Sequence, residues 1–296
     1  MNRRKFIKNI ALTSFISGIA FLEKKSLFAL NKSYAISDQS AKIFFRIINK
    51  AKKLNWKNNS SGDLNILIAQ EFLDIKYLGA TLEGEGSEIC RADFTGLDCV
   101  TLVENTLALS RIIKKEKHSV ADFFDELTFV RYRSGILGDY TTRLHYTSDW
   151  ISDNAQKGVF KDISKEMGGV ERKFDLNFMT KNPQYYKALE KDSTLIPKIA
   201  EIEEKINEET FYIIEKKSIQ AIEHLINNGD IICFTTNKAG LDFAHLGFAF
   251  VQRNKSPKLL HASSKQKKVL IDASISDYAI SISNISGIAI ARVVSL

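Results

Sequence analysis

The sequence predicts an α+β protein in which N-terminal helices pack on a C-terminal antiparallel sheet. Three observations carry that prediction. Apolar residues recur at helical spacing through the first half of the chain, and short β-branched runs separated by Gly, Asn, Ser and Lys fill the last quarter. No internal repeat or long linker divides the two textures, and 44% hydrophobic residues suffice for a core, so 36–296 is expected to be one domain.

Residues 1–35 read as an export signal. A basic run, Arg3-Arg4-Lys5-Phe6-Ile7-Lys8, precedes the apolar stretch Ile10 to Leu22 and the small-residue site Ser33-Tyr34-Ala35. The apolar stretch is too short to span a bilayer, and its paired arginines resemble a twin-arginine signal, a receptor-read address. The mature protein is therefore expected outside the cytoplasm of a bacterium, in the periplasm or beyond, with no stable membrane insertion after cleavage. The same segment holds seven of the basic residues against Glu23, which accounts for most of the formal net charge of +7. The remainder is nearly neutral, so a nucleic-acid partner is not expected.

After the signal, Ala41 to Leu54 reads as an amphipathic helix, and Ser61 or Asp63 caps a second one running to about Ile75. Lys76-Tyr77-Leu78-Gly79 and a glycine- and glutamate-rich loop then lead to Phe94-Thr95-Gly96-Leu97-Asp98-Cys99. From Leu102 to Ile113 apolar residues return at helical spacing, which puts Cys99 in the first turn of a helix. There the unpaired N–H groups and the helix dipole favour an anion, as a nucleophilic cysteine requires; the plain alternative is a small apolar side chain packed under a loop. Ser119 with Asp122 marks the next helix start.

The segment 131–154 is crowded with Arg131, Arg133, Tyr140, Arg143, His145, Tyr146 and Trp150. Such interleaving suits a cleft in which arginines pair carboxylates and aromatic rings stack on sugars, or else a solvated loop. Residues 180–217, rich in Lys and Glu, read as surface helices, and Ser218 caps a short helix before the Asn228-Gly229 turn. The strands expected after that are Ile231 to Thr235, Ala244 to Gln252, Leu259 to Ala262, Val269 to Ile271 and Ile288 to Val294.

Three cysteines, an odd count, leave at least one thiol unpaired; Cys90 and Cys233 could bridge, or all could be free. Their spacings match no zinc pattern, and the chemistry calls for no metal or cofactor. Of the five histidines, His245 and His261 lie sixteen positions apart on consecutive strands, the separation that lets two strands of a hairpin bring them together. With the cysteine helix across that sheet, Cys99, His245 and His261 would stand as nucleophile, base and orienting group. His118 and His224 read as ordinary surface or core histidines.

Leu97-Asp98-Cys99 entering a helix, His245-Leu246-Gly247 opening a strand and Leu260-His261-Ala262-Ser263 on the next together resemble the NlpC-type cysteine peptidases and amidases of bacterial cell walls. The resemblance implies a papain-like fold, a Cys99–His245–His261 triad, and a role for Tyr77 beside the nucleophile. The segment 131–154 resembles the N-acetylmuramoyl-L-alanine amidase-like branch. That implies hydrolysis of the amide between N-acetylmuramic acid, in its 1,6-anhydro form or not, and L-alanine. Soluble muropeptides would be the partners, with Arg131, Arg133, Tyr140, Arg143, Tyr146 and Trp150 as the substrate-binding set. A γ-D-glutamyl-diamino acid endopeptidase and a non-catalytic peptidoglycan-binding module are the alternatives.

Overall fold

A computed structural model describes residues 34–253 and 255–295; the expected export signal lies outside the described residues apart from its last two positions. Helix α1 (Asp38–Lys53) begins where Ser37 accepts a hydrogen bond from the Ser40 N–H, and α2 (Ser61–Gln70) where Ser60 accepts from Asp63. The α2 cap is thus one residue earlier than expected, and the helix stops at Gln70 because 71–74 turn into the short strand β1 (Lys76–Tyr77). Strand β2 (Gly96–Leu97) runs parallel to β1 and leads directly into α3 (Cys99–Lys114).

Helix α3 is the axis of the molecule. Every residue from Thr101 to Ile113 is buried, so no face of it is left for water and its polar residues need partners inside the protein. Sheet strands cover one side, while α2 and α4 (Val120–Arg131) cover the other. Glu104 on α3 accepts from the Arg131 Nε on α4 at 2.6 Å, and Arg111 donates to Glu126 at 2.7 Å. Arg131 is only 1% exposed, and its Nη1 also donates to the Arg91 carbonyl. These pairs fix how α3 is rotated about its own axis, and so where its first turn points. Helix α5 (Thr147–Gln156) closes this layer.

Among the described residues the sheet has ten strands. The remaining members are β3 (Phe160–Asp162), β4 (Val170–Arg172), β5 (Phe211–Glu215), β6 (Ile231–Thr236), β7 (Phe243–Phe250), β8 (Lys258–Ser263), β9 (Lys268–Ser274) and β10 (Ile285–Val293). Their order is β2-β1-β9-β8-β7-β6-β10-β5-β4, with β3 also on β10; β1 and β2 form a parallel pair at one end, and the other pairings are antiparallel. The α+β class and all five expected C-terminal strands are therefore present. Strand β5 is a correction: within the stretch expected to be helical, only α6 (Ile196–Glu208) is a long helix, and the aromatic and β-branched Phe211-Tyr212-Ile213-Ile214 pairs with β10 and β4. Helix α7 (Ile275–Ser281) follows β9 and packs back on the sheet. Among the described residues no helix is long and apolar enough to cross a membrane.

Replacing Glu104 by Ala leaves the Arg131 guanidinium buried beside a void. The expected outcome is a loss of about 3–5 kcal/mol, read as a lower urea midpoint, with Glu104→Gln losing less because it keeps a hydrogen-bond acceptor.

Candidate active site

Asp98 is the N-cap of α3. Its carboxylate accepts from the Thr101 N–H at 2.8 Å, and the Thr101 hydroxyl accepts from the Asp98 N–H at 2.9 Å, a reciprocal capping box. The chain therefore cannot unwind at this end, and Cys99 is held as the first helical residue. It is half-buried, and its sulfur has the backbone N–H groups of Leu246, Val100 and Cys99 itself around it. Leu246 stands next to His245 on β7, so the entrance of the helix lies directly on the strand that carries the imidazole.

Cys99 and His245 line one cavity of about 190 Å³, together with His145, Tyr146, Tyr186 and Asp242. His245 Nε2 lies 2.5 Å from Nδ1 of His261, and His261 Nε2 lies 3.3 Å from Oδ2 of Asp272 on β9. The β7–β8 register pairs Leu260 with Phe248, which sets His261 opposite Gly247. A Cβ at Gly247 would come within 2.9 Å of the His261 Cβ and 2.7 Å of the Leu260 carbonyl. Glycine there lets the two histidine strands close up. Tyr278 on α7 covers both imidazoles, with ring centroids 5.6 Å from His245 and 5.1 Å from His261.

Burial decides the protonation states. It pushes the Cys99 thiol up to about 12; the Asp98 carboxylate adds to the rise and the three backbone amides oppose it. Burial, helped by the neighbouring His261, pushes His245 down to about 3. His261 is lowered by burial too, against the pull of Asp272. Both shifts favour a neutral thiol and a neutral imidazole in the cavity the two residues line, against the pull of the helix entrance toward a thiolate. Tyr77 is held up at about 12 by burial, then by Cys99 and Asp98, and so keeps its hydroxyl proton as a donor near the sulfur.

The expected substrate-binding set is differently employed. Arg131 is locked to Glu104, and Arg133 makes two 2.7 Å bonds to Asp149. Arg143 is buried against Glu83 and Glu88 and sits over the Tyr140 ring. Trp150 packs on Phe160 in the core. The Tyr146 hydroxyl donates to Glu203 at 2.6 Å, and Tyr146 is the one member of the six that lines the Cys99 cavity. These cations and rings brace the framework because carboxylates distant in sequence fold back onto them, which residue types alone do not reveal. Cys90, Cys99 and Cys233 are all free, Cys90 and Cys233 buried. Absent from the sequence reading were Asp272, Tyr278 and the aromatic pair Tyr185-Tyr186, the last of which borders a groove of about 420 Å³ that shares Tyr186 with the Cys99 cavity.

A helix-entry thiol sharing a cavity with one imidazole of a hydrogen-bonded pair, on an α+β scaffold, has the make-up of a hydrolase site. The chain belongs to the AmiA-like family, described as N-acetylmuramoyl-L-alanine amidase-like, whose model matches residues 67–288. Among solved structures it is similar to an N-acetylmuramoyl-L-alanine amidase from Bacteroides uniformis ATCC 8492. The two share 33% identity over 79% of this chain and 98% of that one, with a TM-score of 0.75. It is also similar to a Bacteroides fragilis protein provisionally named a xylanase, at 32% identity over 76% and 99% of the two chains and a TM-score of 0.72. A comparison with curated proteins found no match.

The lowered histidines make stability pH-dependent. Below the ordinary value of 6.5 the unfolded chain takes up protons at His245 and His145 that the folded protein refuses until about 3, so stability falls as pH drops through that window. The urea midpoint is expected to decline from about pH 6.5 downward, and His145→Asn, which removes one of these buried imidazoles, should flatten the decline.

Proposed function

We propose that the protein is an exported cysteine amidase of the papain-like, NlpC-type superfamily that cleaves the bond between N-acetylmuramic acid and L-alanine in muropeptides. The observation that carries the reading is Cys99, at a capped helix entrance, facing one cavity with His245, whose ring is tied to His261. The Cys99 proton passes to His245 as the sulfur attacks the lactyl carbonyl, so charge develops only with substrate in place. His245 returns that proton to the leaving alanine amine, and water then hydrolyses the thioester. The N–H groups of Cys99, Val100 and Leu246, with the Tyr77 hydroxyl, are the donors for the oxyanion.

The family assignment and the Bacteroides uniformis neighbour support the choice of bond. The groove beside Tyr186 supports a substrate larger than the cavity, with Tyr185 and Tyr186 supplying the sugar-facing rings that the sequence placed at Tyr140, Tyr146 and Trp150.

Digestion of a defined disaccharide-tripeptide, with reducing and 1,6-anhydro muramic ends compared, tests the reading by the mass of its products. The expected products are free disaccharide and intact tripeptide. Cys99→Ala should have no activity, and His245→Ala should be slower by roughly 10²–10⁴-fold. A glycopeptide shortened after γ-D-glutamate would establish the endopeptidase instead, and binding without hydrolysis the non-catalytic module.

A further inference from the structure

The described hydrogen bonds do not stop at His261. We propose that Asp272 is a positioning residue that fixes the tautomer of His261 and, through it, that of His245, making Nδ1 of His245 the nitrogen that receives the Cys99 proton. The inference rests on reading Cys99 as nucleophile and His245 as base.

The direction of the chain of bonds follows from what each group can donate. An ionised carboxylate only accepts, so the 3.3 Å contact with Asp272 Oδ2 requires the proton of His261 to be on Nε2. A neutral His261 then has a bare Nδ1. Its 2.5 Å contact with His245 Nε2 requires the hydrogen to belong to His245. A neutral His245 protonated on Nε2 has its lone pair on Nδ1, free for the thiol. With Asp272 removed, His261 is free to carry its proton on Nδ1 and donate it to His245 Nε2, which leaves His245 with N–H on Nδ1 and no lone pair to offer the sulfur.

The surroundings hold this arrangement. His261 is fully buried, with a relative exposure of 0%. Asp272 sits two residues beyond Leu270, the β9 partner of His261, and its other oxygen accepts from the Ala273 N–H at 2.8 Å. Tyr278, lying against both rings, covers them. In the reaction the S–H bond breaks as an N–H bond forms at His245 Nδ1, and the positive charge stays on His245. The Nε2 proton remains there, and none passes to Asp272.

The test uses the full chain labelled with ¹⁵N-histidine and a long-range ¹H–¹⁵N correlation at neutral pH, with His245→Gln and His261→Gln assigning the signals. Both rings are expected as neutral Nε2–H tautomers; a proton on Nδ1 of either would overturn the proposal. This spectrum needs no substrate, so it decides the tautomer whether or not the chain hydrolyses muropeptides, which Cys99→Ala tests separately. Asp272→Ala is expected to mix the His261 tautomers and to lower kcat by about tenfold or more with KM unchanged. Parental kcat and an unaltered spectrum in that variant would overturn the proposal. Should the variant not fold, the parent spectrum decides alone.

Discussion

The burial of α3 on every side is the constraint on which the rest of the structure depends. A helix with no solvent face cannot rotate or slide without breaking Glu104–Arg131 and Arg111–Glu126, and unpairing a buried charge costs several kcal/mol. The capping box at Asp98 extends that rigidity to the first residue of the helix. Cys99 thereby has a fixed position, and β7, packed across the helix entrance, presents His245 to the same cavity. Elements that seem remote from chemistry, such as α4 and the arginines of 131–143, contribute by holding this one contact surface still.

Rigidity and dryness also set the electrical state. Burial limits the hydration of the sulfur and the imidazole alike, which favours the neutral forms of both despite three amides around the thiol. Under the proposed mechanism, Cys99 would rest in an unreactive, proton-bearing form and depend on correct ring orientation for activation. The hydrogen bonds among His245, His261 and Asp272, covered by Tyr278, supply orientation without supplying a resting charge.

Much of this was legible in the sequence, for identifiable reasons. A cap signal and helical periodicity depend on neighbours in the chain, so the helix entry at Cys99 could be read from its periodicity and the Ser119-Asp122 start from its cap. The strand pattern after residue 230 likewise carried the His245–His261 spacing. What escaped were side chains whose roles are set by distant partners. Arg131, Arg133 and Arg143 have the composition of a binding cleft until Glu104, Asp149, Glu83 and Glu88 are seen to neutralise them. Asp272, at the end of an expected strand, looks like any turn carboxylate until the β8–β9 pairing brings it to His261. Strand β5 was hidden by the lysines and glutamates around it, although its aromatic and β-branched run was a usable signal.

Acid-quenched mass spectrometry during turnover of a defined muropeptide tests the central claim most directly. If the sulfur of Cys99 forms the intermediate, the acyl mass of the muramic fragment appears on the peptide containing residue 99 and on no other. An acyl group found on another side chain, or full turnover by protein whose Cys99 has first been alkylated, would contradict it.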